Sequence, residues 1–525
     1  MRMNQLCAAA AAAVLTGTLL SGTAGTSLSV QAAETEKTVT LRICSWEEYI
    51  DTGDWDEDET IDLPSGDIIG ENSMVQDFET WYEETYGIKV KVEYSTFGTN
   101  EDLYNMLTLG DTFDLVCPSE YMFMKLISEE RLVPLSDEFF DTSIETNYYS
   151  RGVSPYIQNI FNTKEINGEA WGKYAAGYMW GITGIVYNPE KMSKEEASTW
   201  TVLNNSDYKR RVTIKDNVRD SYFAALGAVR HDLLTSEEFV NDPDYSQNLE
   251  EVMNDTSEET IQEVQDWLQS MKNNVYSFET DSGKADMITG KVLANYQWSG
   301  DAVYTMDQAE EDGVQLNFAV PVECSNIYFD GWVMLKSGIG NDAAKQQAAE
   351  AFINFVSRPD NAIRNMNFIG YTSVISGGDD PRILEYLNWN YGAEEGEEDT
   401  VEYDVSYFFQ GDSDENNASE NYAGKAADAD TADTENPYIL TVPAEQEDRQ
   451  LSAQYPSTET IQRTSIMRYF TSEQSIATNR MWINVRCYNI HQVPVWGWIL
   501  TAAGAAAVLW LAVHKIQLAR KNRTK

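Results

Sequence analysis

The heptapeptide Ile43-Cys44-Ser45-Trp46-Glu47-Glu48-Tyr49 decides the fold. The β-branched run that leads into it, residues 38–43, predicts a buried strand, and that strand stops at an aromatic residue, two acids and a second aromatic. Open α/β sheets bind small molecules at the carboxyl ends of their strands. A carboxylate set between aromatic rings suits a small organic cation, because the acid matches its charge and the rings stack on its methylenes. The alternative makes Trp46 and Tyr49 core residues and the two glutamates a solvated edge. The rest of the chain decides between them.

Residues 75–86 predict an amphipathic helix, 89–95 an alternating strand, 101–109 a second helix and 113–119 a buried strand. This β-α-β-α-β order implies a parallel sheet flanked by helices. Its carboxyl edge collects Trp46 to Tyr49 together with Pro118-Ser119-Glu120-Tyr121, so two strand ends carry polar and aromatic groups to one crevice. Farther on, residues 178–188 read as an extended segment entering a second domain. A strand and turn over 212–221 precede a helix over 222–233, and 258–272 has a clear 3.6-residue period. A strand over 292–301 again ends in an aromatic and an acid, Trp298 and Asp301, and a strand over 327–334 carries Tyr328 and Asp330. Residues 343–355 predict a helix, and 368–374 a glycine-broken return segment.

A chain of 525 residues, 42% hydrophobic and 12% aromatic, has material for two to four domains with real cores. Residues 1–32 hold one charge, Arg2, then an apolar run and a small-x-small site, the pattern of a secretory signal peptide. Residues 494–513 contain no charge, and twenty helical residues span the ~30 Å of a bilayer's hydrocarbon core; a transmembrane helix is expected there. The basic tail 514–525 then predicts a cytoplasmic C-terminus, with residues 33–493 on the outer face of the cell membrane. Of 37 Lys and Arg, Arg2 lies in the leader and five lie in the tail, whereas all 85 Asp and Glu lie between them. So acidic an exterior argues against a nucleic-acid partner and would draw in a cation.

The four cysteines outside the leader, Cys44, Cys117, Cys324 and Cys487, are far apart and form no CxxC, so neither a zinc site nor an obligatory disulfide is expected. Only His231, His491 and His514 are available for a His-based triad or metal centre. The Asp54-x-Asp56-x-Asp58 spacing has Glu59 where a calcium loop requires glycine. No cofactor, metal or catalytic residue is assigned. Residues 392–450 read as an acidic, low-complexity surface insertion.

Taken together, these motifs resemble the spermidine/putrescine-binding proteins of polyamine ABC importers, within the two-lobed solute-binding proteins. The likeness covers roughly residues 38–378, and more weakly 456–490. It rests on Trp-x-x-Tyr at 46–49, Asp-Leu-Val-x-Pro-Ser-x-Tyr at 114–121, Trp-Gly at 180–181, the acid at 220, Trp-Ser-Gly-Asp at 298–301, the acid at 330 and Gly-Tyr at 370–371. The resemblance implies an α/β, two-lobed periplasmic-binding-protein-like fold (type II) with the ligand cleft between lobes: 38–179 with 330–376, and 182–328 with 380–490. It implies that Trp46, Tyr49, Tyr121, Trp298, Tyr328 and Tyr371 box the ligand's methylenes. Glu48, Asp220, Asp301 and Asp330 would receive its ammonium groups, with Ser119 as a hydrogen-bond partner. Tyr328 stands where the spermidine type has tryptophan and Asn217 where it has an acid, with Asp216 adjacent as a substitute, while Asp301 matches the putrescine type better; these departures leave the choice of polyamine open, with a slight lean to the diamine.

The implied function is a membrane-tethered receptor that closes on a polyamine by hinge motion and docks on ABC permease subunits. The rivals are the same fold holding iron, a betaine or a peptide, an exported glycosidase using two of these acids, and a sensor whose acidic insertion binds a partner protein.

Overall fold

The strand expected ahead of the opening heptapeptide runs Thr38–Trp46 in the computed structural model, which describes residues 38–56, 59–411, 436–487 and 495–523. The leader 1–32 and the acidic run 412–435 lie outside the described residues. Thr38–Trp46 pairs in parallel along its whole length with Lys89–Phe97, and at Ile43–Cys44 with Leu115–Val116. Between them the helix Met74–Tyr86 opens on a Ser73–Gln76 capping box and buries Met74, Phe78 and Tyr82, one side chain per turn. The expected strand 113–119 is only Leu115–Val116, because Pro118 has no N–H for a ladder and Ser119 already opens the helix Glu120–Ser128.

Two long strands, Ala175–Tyr187 and Ser325–Leu335, are buried at every position and run antiparallel to each other. Ser325–Leu335 adjoins Leu115–Val116, and Ala175–Tyr187 adjoins Ala294–Trp298, which continues in parallel into Val212–Lys215 and Ser277–Glu279. The long strands thus join two half-sheets whose parallel strands run in opposite senses, and the carboxyl ends of both halves meet over the long strands. Each half has its own apolar cluster: Phe78, Phe123, Trp332 and Phe352 on one side, Trp200, Phe223, Leu268 and Tyr296 on the other. The result is a two-lobed α/β architecture.

Two acids change their setting relative to the sequence-based expectation. The helix expected from residue 222 starts at Val218, capped by the Asn217 side chain on the Asp220 N–H, so Asp220 lies in a first helical turn. The strand expected over 292–301 ends at Trp298, and Asp301 lies in the first turn of the helix Ser299–Glu311. At both places the helix's partial positive end favours a carboxylate.

The stretch 392–450 is in part core. Its flanks form a hairpin, Thr400–Asp404 with Ile439–Pro443, and Phe408 stacks on Trp180 with centroids 5.9 Å apart and meets Tyr455 edge-on. Aromatic and β-branched residues between the acids supply this buried face.

The expected transmembrane segment 494–513 is corrected. The chain is helical over Val495–Arg523, yet among the described residues no helix is long and apolar enough to cross a membrane. The stretch lacks charge, but Ala502, Ala503 and Ala505 to Ala507 bring high helix propensity with little apolar area, and Gly497, Thr501 and Gly504 dilute it further. Absence of charge overstated its apolarity. The fold keeps its two lobes and loses the membrane span, and anchoring of the protein at the outer membrane face by this helix falls with it.

Candidate ligand-binding site

Asp330 sits where the Ser325–Leu335 strand shifts register against Ala175–Tyr187, between Asp330 and Gly331. Such bulges re-aim a side chain out of the sheet. The residue is 4% exposed, and its carboxylate accepts from the Tyr49 hydroxyl at 2.5 Å and the Ser119 hydroxyl at 2.7 Å. Both donors come from strand ends of the first half-sheet. Burial pushes the Asp330 carboxyl up to about 6, against the pull of these two hydrogen bonds. Among the described residues no lysine, arginine or histidine pairs with it, although unpaired buried carboxylates are rare.

Three tyrosines surround it. The Tyr49 and Tyr371 rings meet edge to face at 5.1 Å, and Tyr328 lies 6.2 Å from Tyr371. Tyr178 donates to the Tyr49 carbonyl at 2.9 Å and holds that turn down. Gly300 is what lets Tyr371 lie across the start of the Ser299–Glu311 helix, since a Cβ there would overlap its ring. Gly181 does the same for Tyr328, which explains the Trp-Gly motif. Burial raises the hydroxyl pKa of Tyr49, Tyr328 and Tyr371 well above the ordinary value, so all three remain neutral donors.

A second group adjoins the first through Tyr371, whose hydroxyl donates to Asp301 at 3.3 Å. Asp301 also faces Lys215 at 3.4 Å and Lys284 at 3.5 Å, and the Lys215 ammonium sits 3.9 Å from the Trp298 ring centroid. Burial pulls the Lys284 ammonium down, but Asp301, Asp281 and Glu48 outweigh it and the net shift is upward. Glu48, exposed and with φ at +52°, therefore acts on this group through its charge.

Asp220 and Tyr121 belong to a third group. Asp220 hydrogen-bonds Asn217 and, at 3.4 Å, the Tyr296 hydroxyl, and its burial raises its pKa. The Arg219 guanidinium lies over the Tyr121 ring at 4.4 Å and over Phe470 at 3.6 Å. Trp46 packs on Phe97 at 4.7 Å. Of the residues singled out in the sequence, Tyr49, Ser119, Tyr328, Asp330 and Tyr371 form one cluster and Trp298 with Asp301 the next. Asp220 and Tyr121 are engaged by the chain's own side chains, and Trp46 and Glu48 sit at the strand-end turn.

Lys215, Arg219 and Lys284 were not anticipated. Lys215 ends the buried strand Val212–Lys215, so the strand-end rule applied to Trp46 and Trp298 points to it equally.

Beside the site Glu120 is fully buried; it accepts from the Phe329 N–H at 3.1 Å, and its other oxygen has no partner. Burial pushes its carboxyl up to about 8 from 4.5. The folded protein therefore holds a proton that the unfolded chain releases between these values. Its contribution to stability is greatest below pH 4.5 and is lost as pH rises towards 8. Glu120→Gln is expected to flatten that slope, as denaturant melts at pH 5 and pH 8 will show; an unchanged slope would mean Glu120 is ionised in the fold.

A cavity of about 530 Å³ lined by Glu79, Glu83, Lys89 and Lys91 opens at the outer edge of the first half-sheet and contains none of these groups.

The Salmonella typhimurium spermidine/putrescine-binding periplasmic protein is 25% identical over 346 residues, 66% of this chain and 80% of its own length. The Escherichia coli putrescine-binding periplasmic protein PotF is 24% identical over 53% of this chain and 69% of its own. Among solved structures, the Streptococcus pneumoniae spermidine/putrescine ABC transporter substrate-binding protein PotD aligns over 86% of this chain and 99% of its own, with a TM-score of 0.51 and 23% identity. A provisionally assigned spermidine/putrescine ABC transporter protein from Listeria monocytogenes covers the same shares at a TM-score of 0.55 and 21% identity. At those identities the structural likeness speaks for the two-lobed fold. These relatives are binding proteins and not enzymes. The sequence profile of the bacterial extracellular solute-binding proteins matches residues 73–382, and this chain belongs to that family.

Proposed function

We propose that this protein binds a small organic ammonium compound of the polyamine class, putrescine or spermidine, and hands it to the permease of an ABC importer. The observation that carries this reading is Asp330: a buried carboxylate held by two hydroxyls, walled by three tyrosines and matched by no cation among the described residues. An ammonium group supplies the missing charge and three donors, while the rings cover its methylenes. An anion would meet Asp330 head-on, and a neutral sugar would leave the charge unmatched. The names of the relatives agree with this chemistry.

Ligand enters between two lobes, 38–179 with 330–376 and 182–328 with 380–490, which close about the paired positions Trp180 and Phe329 and the turn at Gly378. Closure brings the strand ends of both halves onto one solute and creates the surface a permease reads.

Titration calorimetry of the protein with putrescine and spermidine tests the reading. Saturable one-to-one heat with either amine is expected. Silence from folded protein with both would overturn it.

A further inference from the structure

The ring and acid next to Asp330 already hold an ammonium group, and it belongs to the chain. Lys215 is 1% exposed; its Nζ lies 3.9 Å over Trp298, donates to the Thr280 carbonyl at 3.0 Å and faces Asp301 at 3.4 Å. A ring face, a carboxylate and a carbonyl around one nitrogen are the contacts one end of a diamine would make. Lys284, on the other oxygen of Asp301, adds a second positive charge there. Arg219 lies near Asp220 and Glu101, whose charges act on it. Of the acids Asp220, Asp301 and Asp330, the first two thus face cations of the chain, and among the described residues Asp330 faces none.

Resting on the amine-binding reading, we propose that Lys215 is a specificity-determining residue: a tethered competitor that occupies the Trp298–Asp301 position and removes the advantage of a ligand's second ammonium. A group on a short tether acts at an effective concentration of about millimolar or more, so a free amine at micromolar concentration does not displace it by mass action. A second ammonium that stays in place instead faces Lys215 and Lys284 as like charges. The site then binds one ammonium at Asp330 with an apolar body against the tyrosines, and gains little from a second or third ammonium.

The test compares butylamine, putrescine and spermidine, with one, two and three ammonium groups, by calorimetry on the wild type and on Lys215→Met. Methionine keeps the apolar stem on Trp298 and removes the charge. Lys215→Gln, which retains a hydrogen-bond donor, serves if the methionine variant fails to fold by circular dichroism. In the wild type the three amines are expected to bind within about threefold of one another. In the variant putrescine and spermidine tighten by tenfold or more relative to butylamine, about 1.4 kcal/mol. A wild type that already favours putrescine tenfold over butylamine, or a variant with unchanged ratios, overturns the role of Lys215 and leaves amine binding standing. No binding of any amine by folded wild type and variant overturns both.

Discussion

Asp330→Asn is expected to weaken putrescine binding by about 30-fold to several thousandfold, the range set by about 2–5 kcal/mol for truncating one partner of a buried charge pair. The same substitution is expected to stabilise the ligand-free protein. Burial holds the Asp330 carboxyl near 6 against an ordinary 3.8, so above pH 6 the empty site keeps a charge that the unfolded chain solvates freely. The difference corresponds to about 3 kcal/mol of instability at neutral pH. Because the folded-state pKa is raised, this penalty is absent below pH 3.8 and complete above pH 6. Asparagine removes it at neutral pH, so denaturant melts at pH 7.5 are expected to show a gain of about 1–3 kcal/mol while calorimetry shows the lost affinity. Gain and loss together identify a binding acid, and loss of both stability and affinity would identify a structural one. In the wild type, protonation of Asp330 competes with the ammonium, so affinity is expected to fall about tenfold between pH 7.5 and pH 5. A flat profile over that range would sink the assignment.

Arg364→Met is expected to destabilise the fold by about 3–5 kcal/mol, measured by denaturant unfolding, because it strands a buried carboxylate. The Asp51 side chain is fully buried and Arg364 is 6% exposed. The guanidinium forks onto Asp51, reaches Asp77 at 2.8 Å and donates to the Asn72 carbonyl at 2.7 Å. Asp51 in turn accepts from the Gly53 N–H at 2.9 Å and the Trp55 indole at 3.1 Å, and its own N–H donates to Asn365 at 2.9 Å. This network ties the turn that follows Tyr49 to the helix Pro359–Ile369, which leads into Tyr371. Two walls of the Asp330 site therefore share one clamp. Asp51→Asn combined with Arg364→Met is expected to be less damaging than the sum of the single changes, since removing both partners leaves no uncompensated charge. Strict additivity would show that the pair is not coupled.

The acidic run beginning at Asp51 shows where composition misleads. Read along the chain, residues 51–62 are acids in a loop, and a surface position follows from solvation alone. The fold buries Asp51 because Arg364, more than three hundred residues later, supplies the matching charge. The described part of 392–450 repeats the lesson: acids dominate its composition, yet Tyr407 and Phe408 enter the core. The uncharged stretch 494–513 errs in the opposite direction, as low charge without enough apolar area.

By itself the sequence determined what depends on local periodicity and on strand ends. Alternating and 3.6-period runs place the strand Thr38–Trp46 and the helices Met74–Tyr86 and Glu258–Met271 within a few residues, because amphipathic burial is written into neighbouring positions. Polar and aromatic residues at strand ends point to Tyr49 and Ser119 in one crevice and to Trp298 and Asp301 at a further strand end, because a parallel strand delivers its last residues to the sheet's carboxyl edge, whereas Asp330, inside an antiparallel strand, follows only from the family resemblance. Only the tertiary structure decided which of the acids Asp220, Asp301 and Asp330 face cations of the chain. Charge matching is a property of space: Lys215 reaches Asp301 and Trp298 across a helix start, Arg219 covers Tyr121 from the other half-sheet, and no such cation faces Asp330 among the described residues.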